Sequence, residues 1–163
     1  MALQTETDEC RRLLAGLESN IYQLIAVNEK PEGKQYCCKE CGKESLMFAL
    51  PKGHRYSRRK SLSFAEMNGE NILLMSDIGF WNFVQTKKMP DSRFLTQSDR
   101  FDFNELVQAS SLASFTSDLA EKYIEVAPGR INVPISDEEA TVTYHLVCKV
   151  ENKKEFISLF SAL

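Results

Sequence analysis

The chain has two histidines, His54 and His145, one tryptophan and seven glycines in 163 residues. That scarcity excludes much before any motif is sought. A cysteine nucleophile needs a histidine base in reach, and neither histidine sits in a recognisable nucleophile setting. The glycines are scattered, and no G-x-x-x-x-G-K run is present to cradle a phosphate. No apolar stretch approaches the roughly 18 residues that a membrane span needs. The opening Met1-Ala2-Leu3-Gln4-Thr5-Glu6 has neither a basic nor an apolar segment, so it does not read as a secretory leader. There is no repeat and no low-complexity tract. Cysteine is odd in number, five, and three of the five crowd at positions 37, 38 and 41. A secreted disulfide framework would spread an even set. These absences point to a protein that is not an enzyme, with reduced cysteines, no membrane partner and an intracellular place, cytoplasm or nucleus.

What is present is globular material. Hydrophobic residues make up 43% of the chain and charged ones 26%, which excludes a disordered polymer. The length fits a single domain over 1–163, large enough to bury an apolar core without staples. The net charge of −3 hides an uneven spread: residues 30–60 carry nine Lys/Arg against three Glu, and the remainder is acidic. One basic patch on an acidic body suits a localised anionic partner.

Thr7-Asp8-Glu9 offers a helix start. Leu13, Leu14, Leu17, Ile21, Leu24 and Ile25 recur at spacings of three and four, which predicts one amphipathic helix ending near Asn28. Asn68-Gly69 between 61–67 and 72–77 predicts a hairpin. Gly79–Val84 continues as a third strand, its Trp81 and Phe83 reading as core aromatics. Residues 85–101 read as a long connection. Asp102 and Glu105 form a capping box for a helix carrying Leu112, Phe115, Leu119, Tyr123 and Val126, with a break near Ser114 where hydroxyl side chains crowd. Pro134 within Ile131–Ile135 predicts an edge strand. Strict alternation across 141–151 predicts a strand, and Asn152 caps a terminal helix. The order predicts an α+β fold: an antiparallel or mixed sheet with helices packed on one face, and helices at the N- and C-termini.

The densest chemistry lies between Tyr36 and Lys60. Cys38-Lys39-Glu40-Cys41 has the spacing at which two thiolates reach one tetrahedral zinc, and Gly42 lets the backbone turn beneath them. His54 follows after twelve residues. The run Tyr36-x-Cys38-x-x-Cys41-Gly42-Lys43, then His54, resembles the first three-quarters of a two-cysteine, two-histidine zinc finger. Arg58, Arg59 and Lys60 stand where that family has its fourth ligand, Ser45 and Pro51 where it has its core residues. The resemblance therefore implies a zinc knuckle and hairpin over 34–60 in place of a DNA-reading helix. The fourth ligand comes from Cys148, His145, Cys37 or Cys10; the set Cys38, Cys41, His54 and Cys148 is the one expected. Cys148 also reads as a core thiol and His145 as an outward strand residue. A second candidate surface is cationic: Lys52, Arg55, Tyr56, Arg58, Arg59 and Lys60 combine charge with an aromatic, as phosphate and base contacts require. Two functions follow. The first is a protein–protein interaction module, a subunit or adaptor stiffened by structural zinc. The alternative is nucleic-acid binding through loop 52–60.

Overall fold

The computed structural model of the chain describes residues 5–123 and 127–163. Its elements run α1 (Cys10–Glu18), β1 (Leu24–Val27), β2 (Tyr36–Pro51), α2 (Phe64–Met67), β3 (Asn71–Met75) and β4 (Arg93–Gln97). They continue with α3 (Arg100–Ala109), β5 (Ala113–Ser117), α4 (Asp118–Tyr123), β6 (Arg130–Pro134), β7 (Thr141–Lys149) and α5 (Ile157–Ala162). The class is α+β with a mixed sheet, as the patterning predicts. Two compact units form. One is the chain up to Lys43 with Thr143–Leu163, the other Glu44–Val142.

In the first unit α1 is shorter than its apolar stripe predicts. Asn20 adopts φ +63°, the Ile21 amide donates to Gly16 O at 2.8 Å, and the Asn20 amide donates to Leu17 O at 3.3 Å. This paired closure with a left-handed residue ends a helix, and asparagine is the residue after glycine best able to adopt it. Leu24 and Ile25 are thereby released into β1, and Ile21 is left exposed. β1 pairs antiparallel with β7, Leu24 opposite Cys148 and Val27 opposite His145, and β7 neighbours β2. Leu17, Ile25, Val27 and Val147 form the core, with Leu13, Leu14 and Cys38 against it.

In the second unit β2 lies between β6 and β5, both antiparallel to it. β5 is parallel to β3, and β3 is parallel to β4. Leu46 to Leu50 are all buried, so this half of β2 is covered on both faces. The expected Asn68-Gly69 hairpin is absent. Ser63 and Glu66 instead close a reciprocal capping box on α2, and residues 64–67 become helix. The expected third strand at Gly79–Val84 is one 3-10 turn, followed by a wider turn over Val84–Lys88. Trp81 is core, as its size predicts, and its indole N–H donates to Ala140 O at 3.1 Å. The supposed connection 85–101 contains β4. The helix expected from Asp102 starts one turn earlier, capped by Asp99, and gives way at Ser110 to strand β5. Val126, expected in that helix, lies outside the described residues. β6 carries Pro134 and pairs with β2, as an edge assignment predicts.

Arg130 opens β6 and is buried. Its guanidinium donates to the carbonyls of Val107 (2.5 and 3.2 Å), Ser110 (3.1 Å), Ala49 (3.1 Å) and Leu112. Removing those donors leaves several buried carbonyls unsatisfied, at roughly 1–3 kcal/mol each before relaxation. Arg130→Met, which keeps the packing volume, is expected to lower unfolding stability by about 3 kcal/mol in urea titration. A loss below about 0.5 kcal/mol would show that solvent or repacking satisfies these groups.

Candidate functional site

β3 stands between β4 and β5, and all three run in the same direction. From β3 the chain reaches β4 on one side, then crosses by α3 to β5 on the other. At such a reversal the loops leaving adjacent strands part. Open parallel sheets take ligands there, at the carboxyl edge. In this unit that edge is formed by Ser76–Gly79 after β3, Ser98-Asp99 after β4 and Ser117-Asp118 around the end of β5.

Local hydrogen bonding explains the shape of this edge. The Ser76 amide donates to Gln97 O at 2.8 Å, pinning the ends of β3 and β4 together. The Asp77 carboxylate accepts from the Gly79 amide at 2.8 Å and from the Asn82 amide group at 2.9 Å. Asn82 Oδ1 accepts in turn from the Ile78 amide at 3.0 Å. Gly79 has φ +60°, a left-handed conformation that glycine adopts without strain. Trp81 within the following turn is buried, its indole N–H held by Ala140 O. Asp99 accepts from the amides of Phe101 (2.8 Å) and Asp102 (3.0 Å) at the start of α3. Asp118 accepts from the Ser45 amide at 2.8 Å, and the buried Ser117 hydroxyl accepts from the Ala120 amide at 3.1 Å.

The bonds from Asn82 and Gly79 hold the Asp77 carboxyl below the usual aspartate range. The Asp99 and Asp118 carboxylates are engaged by main-chain amides. The hydroxyl of Ser117 still has a proton to donate. The edge thus presents ordered turns with a hydroxyl among them. Sequence reasoning missed it because Ile72–Asp77 reads as a hairpin arm. The available signal was Ser76-Asp77-Ile78-Gly79 directly after an apolar run, an Asx turn at a strand end.

The expected zinc site is not formed. Among the described residues no group of three or more His, Cys, Asp or Glu could hold a metal ion. Cys38 and Cys41 lie on the continuous strand β2, where residues three apart point to opposite faces. Burial raises both thiols, the reverse of what a thiolate ligand requires. His54 belongs to the other unit, where its Nδ1 accepts from the Tyr56 amide at 3.2 Å and its Nε2 lies 3.7 Å from Glu70. Cys148 is wholly buried on β7, consistent with a core thiol. The Nδ1 of His145 is buried without a partner, so this residue is not simply outward-facing.

The cationic loop is partly neutralised. Arg59 pairs with Glu66 at 2.6 Å, Arg55 pairs with Glu70, and the Arg55 guanidinium lies 4.6 Å from the Tyr56 ring centre. Lys52, Arg58 and Lys60 are exposed.

No protein-family model matches the chain, and no curated protein matches it. Solved structures do. Full-length OxyR from Pseudomonas aeruginosa superposes with a TM-score of 0.72 at 15% identity, covering 95% of this chain and 52% of that one. The fold is that of a LysR-type regulatory domain. The regulatory domain of MetR, a LysR family regulator from N. meningitidis, gives 0.64 at 10% identity over 90% of this chain and 73% of its own. The BenM effector-binding domain, solved with its effector benzoate, gives 0.66 at 14% identity over 93% and 77%. The chain thus spans about half of full-length OxyR and about three-quarters of the isolated domains. This likeness covers nearly the whole chain, where the zinc-finger resemblance covered only Tyr36 to His54. It replaces the expectation of a zinc-stiffened adaptor. No helix among the described residues is long and apolar enough to cross a membrane.

The Asp77 turn has a consequence in acid. Its carboxyl is depressed in the folded chain, so its stabilising contribution is present above the ordinary aspartate pKa of about 3.9 and is lost as pH falls through the folded value. Asn82→Ala removes the largest cause of that depression. The acid transition followed by emission of the single tryptophan, Trp81, is expected to move to higher pH in this variant. An unchanged midpoint would show that the Asp77–Asn82 pair does not hold the turn.

Proposed function

We propose that this chain is a small-molecule-sensing regulatory domain that takes its effector at the carboxyl edge of β3 and β5. The observation that carries the reading is the parallel β4–β3–β5 arrangement, with its polar loops, inside a fold shared with regulatory domains along most of their length. BenM takes benzoate in such a domain. Supporting the reading are the Ser117 hydroxyl at the end of β5, the preordered turn at Asp77–Asn82 and the buried Trp81 within that turn. The role is binding, with the ligand altering the domain and the domain altering whatever it is joined to.

The test is a thermal-shift screen of small aromatic and aliphatic carboxylates, amines and neutral amides. A true effector at a hundred times its Kd stabilises by about 2.7 kcal/mol, roughly 5–10 °C for a domain of this size. It should also change Trp81 emission, and the shift should vanish in Ser76→Leu, which places bulk at the end of β3. A ligand that stabilises the parent chain and Ser76→Leu equally would bind elsewhere and sink the proposal. So would a screen in which nothing stabilises the chain.

A second reading is favoured by the exposure of Lys52, Arg58 and Lys60, which form no ion pair among the described residues. In it, loop 52–60 contacts nucleic-acid phosphates while Arg55 and Arg59 remain tied to Glu70 and Glu66. Three such contacts predict a slope of about −2.7 in log affinity against log salt for duplex DNA; five would give about −4.5. Binding that is absent or insensitive to salt removes this reading.

A further inference from the structure

Five cysteines are free, and two of them lie on the neighbouring strands β2 and β7. In the first unit the Val150 amide donates to Gln35 O at 2.8 Å. Stepping two residues along each strand in opposite directions brings Cys37 opposite Cys148. Their sequence neighbours Cys38 and Val147 both join the cluster around Leu17, so by strand alternation Cys37 and Cys148 share the opposite face. Residues directly opposed on antiparallel strands have Cα atoms about 4.5–5.5 Å apart, within the roughly 4.4–6.8 Å that a disulfide bridges.

The two thiols differ in access. Cys148 is wholly buried between β1 and β2, whereas Cys37 is half-buried. An open groove of about 690 Å³, lined by Lys30, Glu32, Gly33, Tyr36, Cys37 and Cys38, reaches Cys37 from solvent. A space of this size takes a molecule of drug or small-peptide dimensions. Lys30 offers it a cation close enough to the thiols to act on Cys38.

We propose that Cys37 and Cys148 form a dithiol site that exchanges with a low-molecular-weight disulfide admitted by this groove. The Cys37 thiolate attacks one sulfur of the incoming disulfide. That S–S bond breaks, one half leaves as a thiolate, and a mixed disulfide forms on Cys37. The Cys148 sulfur then attacks Cys37, expelling the second half, which takes up the Cys148 proton. The incoming disulfide is reduced by two electrons to two thiols, and the protein pair is oxidised to a cystine. Burial sets the order, because only Cys37 can be reached first. Burial also pushes the Cys148 thiol up to about 11, so its thiolate is scarce at neutral pH and the second step is the slower one. The site lies wholly in the first unit and stands or falls independently of the effector reading.

The test treats the full chain with oxidised glutathione and maps thiols by mass spectrometry after non-reducing digestion. A Cys37–Cys148 peptide, with the intact chain lighter by two hydrogens and carrying no glutathione, is expected. Cys148→Ala should trap glutathione on Cys37, and Cys37→Ser should leave Cys148 unmodified. Resolution of a preformed mixed disulfide on Cys37 should quicken about tenfold per pH unit below the Cys148 pKa. Glutathione that persists on Cys37 of the parent chain would overturn the proposal. So would preferential reaction at Cys38 or Cys41, or no reaction at all.

Discussion

A buried guanidinium that meets main-chain carbonyls, and no carboxylate among the described residues, ties together three segments of the second unit. Arg130 spreads its charge over main-chain carbonyls from β2, from α3 and from the turn that follows α3. Val107 and Ser110 lie at the carboxyl end of that helix, where unsatisfied carbonyls and the helix dipole both favour a cation. Arg130 also sits opposite Pro51 in the β6–β2 ladder. One side chain therefore fixes the exit of α3 relative to β2, and through it the entry into β5. Desolvation lowers its pKa, yet a guanidinium remains charged at any ordinary pH.

The placement of β5 bears on the proposed site because of what lies beside it. β5 brings Ser117 and Asp118 to the same edge as the end of β3, while Asp77 and Asn82 fold the β3 loop back on itself. Each carboxylate at this edge is already engaged by main-chain donors, so the edge is rigid before any ligand arrives. Preorganisation of this kind lowers the ordering cost of a ligand that docks there. It also fits the likeness to regulatory domains, which extends over the strands and helices of both units taken along the chain.

The cysteine-rich segment illustrates how one spacing supports two structures. C-x-x-C gathers sulfurs only if the backbone turns between them. In an extended strand the same spacing sends them to opposite faces. Tyr36–Pro51 is extended throughout, so Cys38 joins the core beneath α1 while Cys37 lies opposite Cys148 across the ladder. The pairing that matters chemically joins residues more than a hundred positions apart, and no local pattern encodes it.

Where a local signal was decisive, the sequence alone carried the structure: the strand at β7, Pro134 on an edge strand and the burial of Trp81 each rest on short-range chemistry. The α+β class followed from their order. Short-range signals failed where two competed. Asn20 ended α1 inside a continuous apolar stripe, and the Ser63/Glu66 box made helix of what Asn68-Gly69 marked as a hairpin arm. The parallel pairing of β3 with β4 and β5, the edge it creates, the carbonyl cage around Arg130 and the Cys37–Cys148 register were settled only in three dimensions. Each depends on segments distant in the chain being brought together by burial, and burial reads total shape and not neighbouring letters.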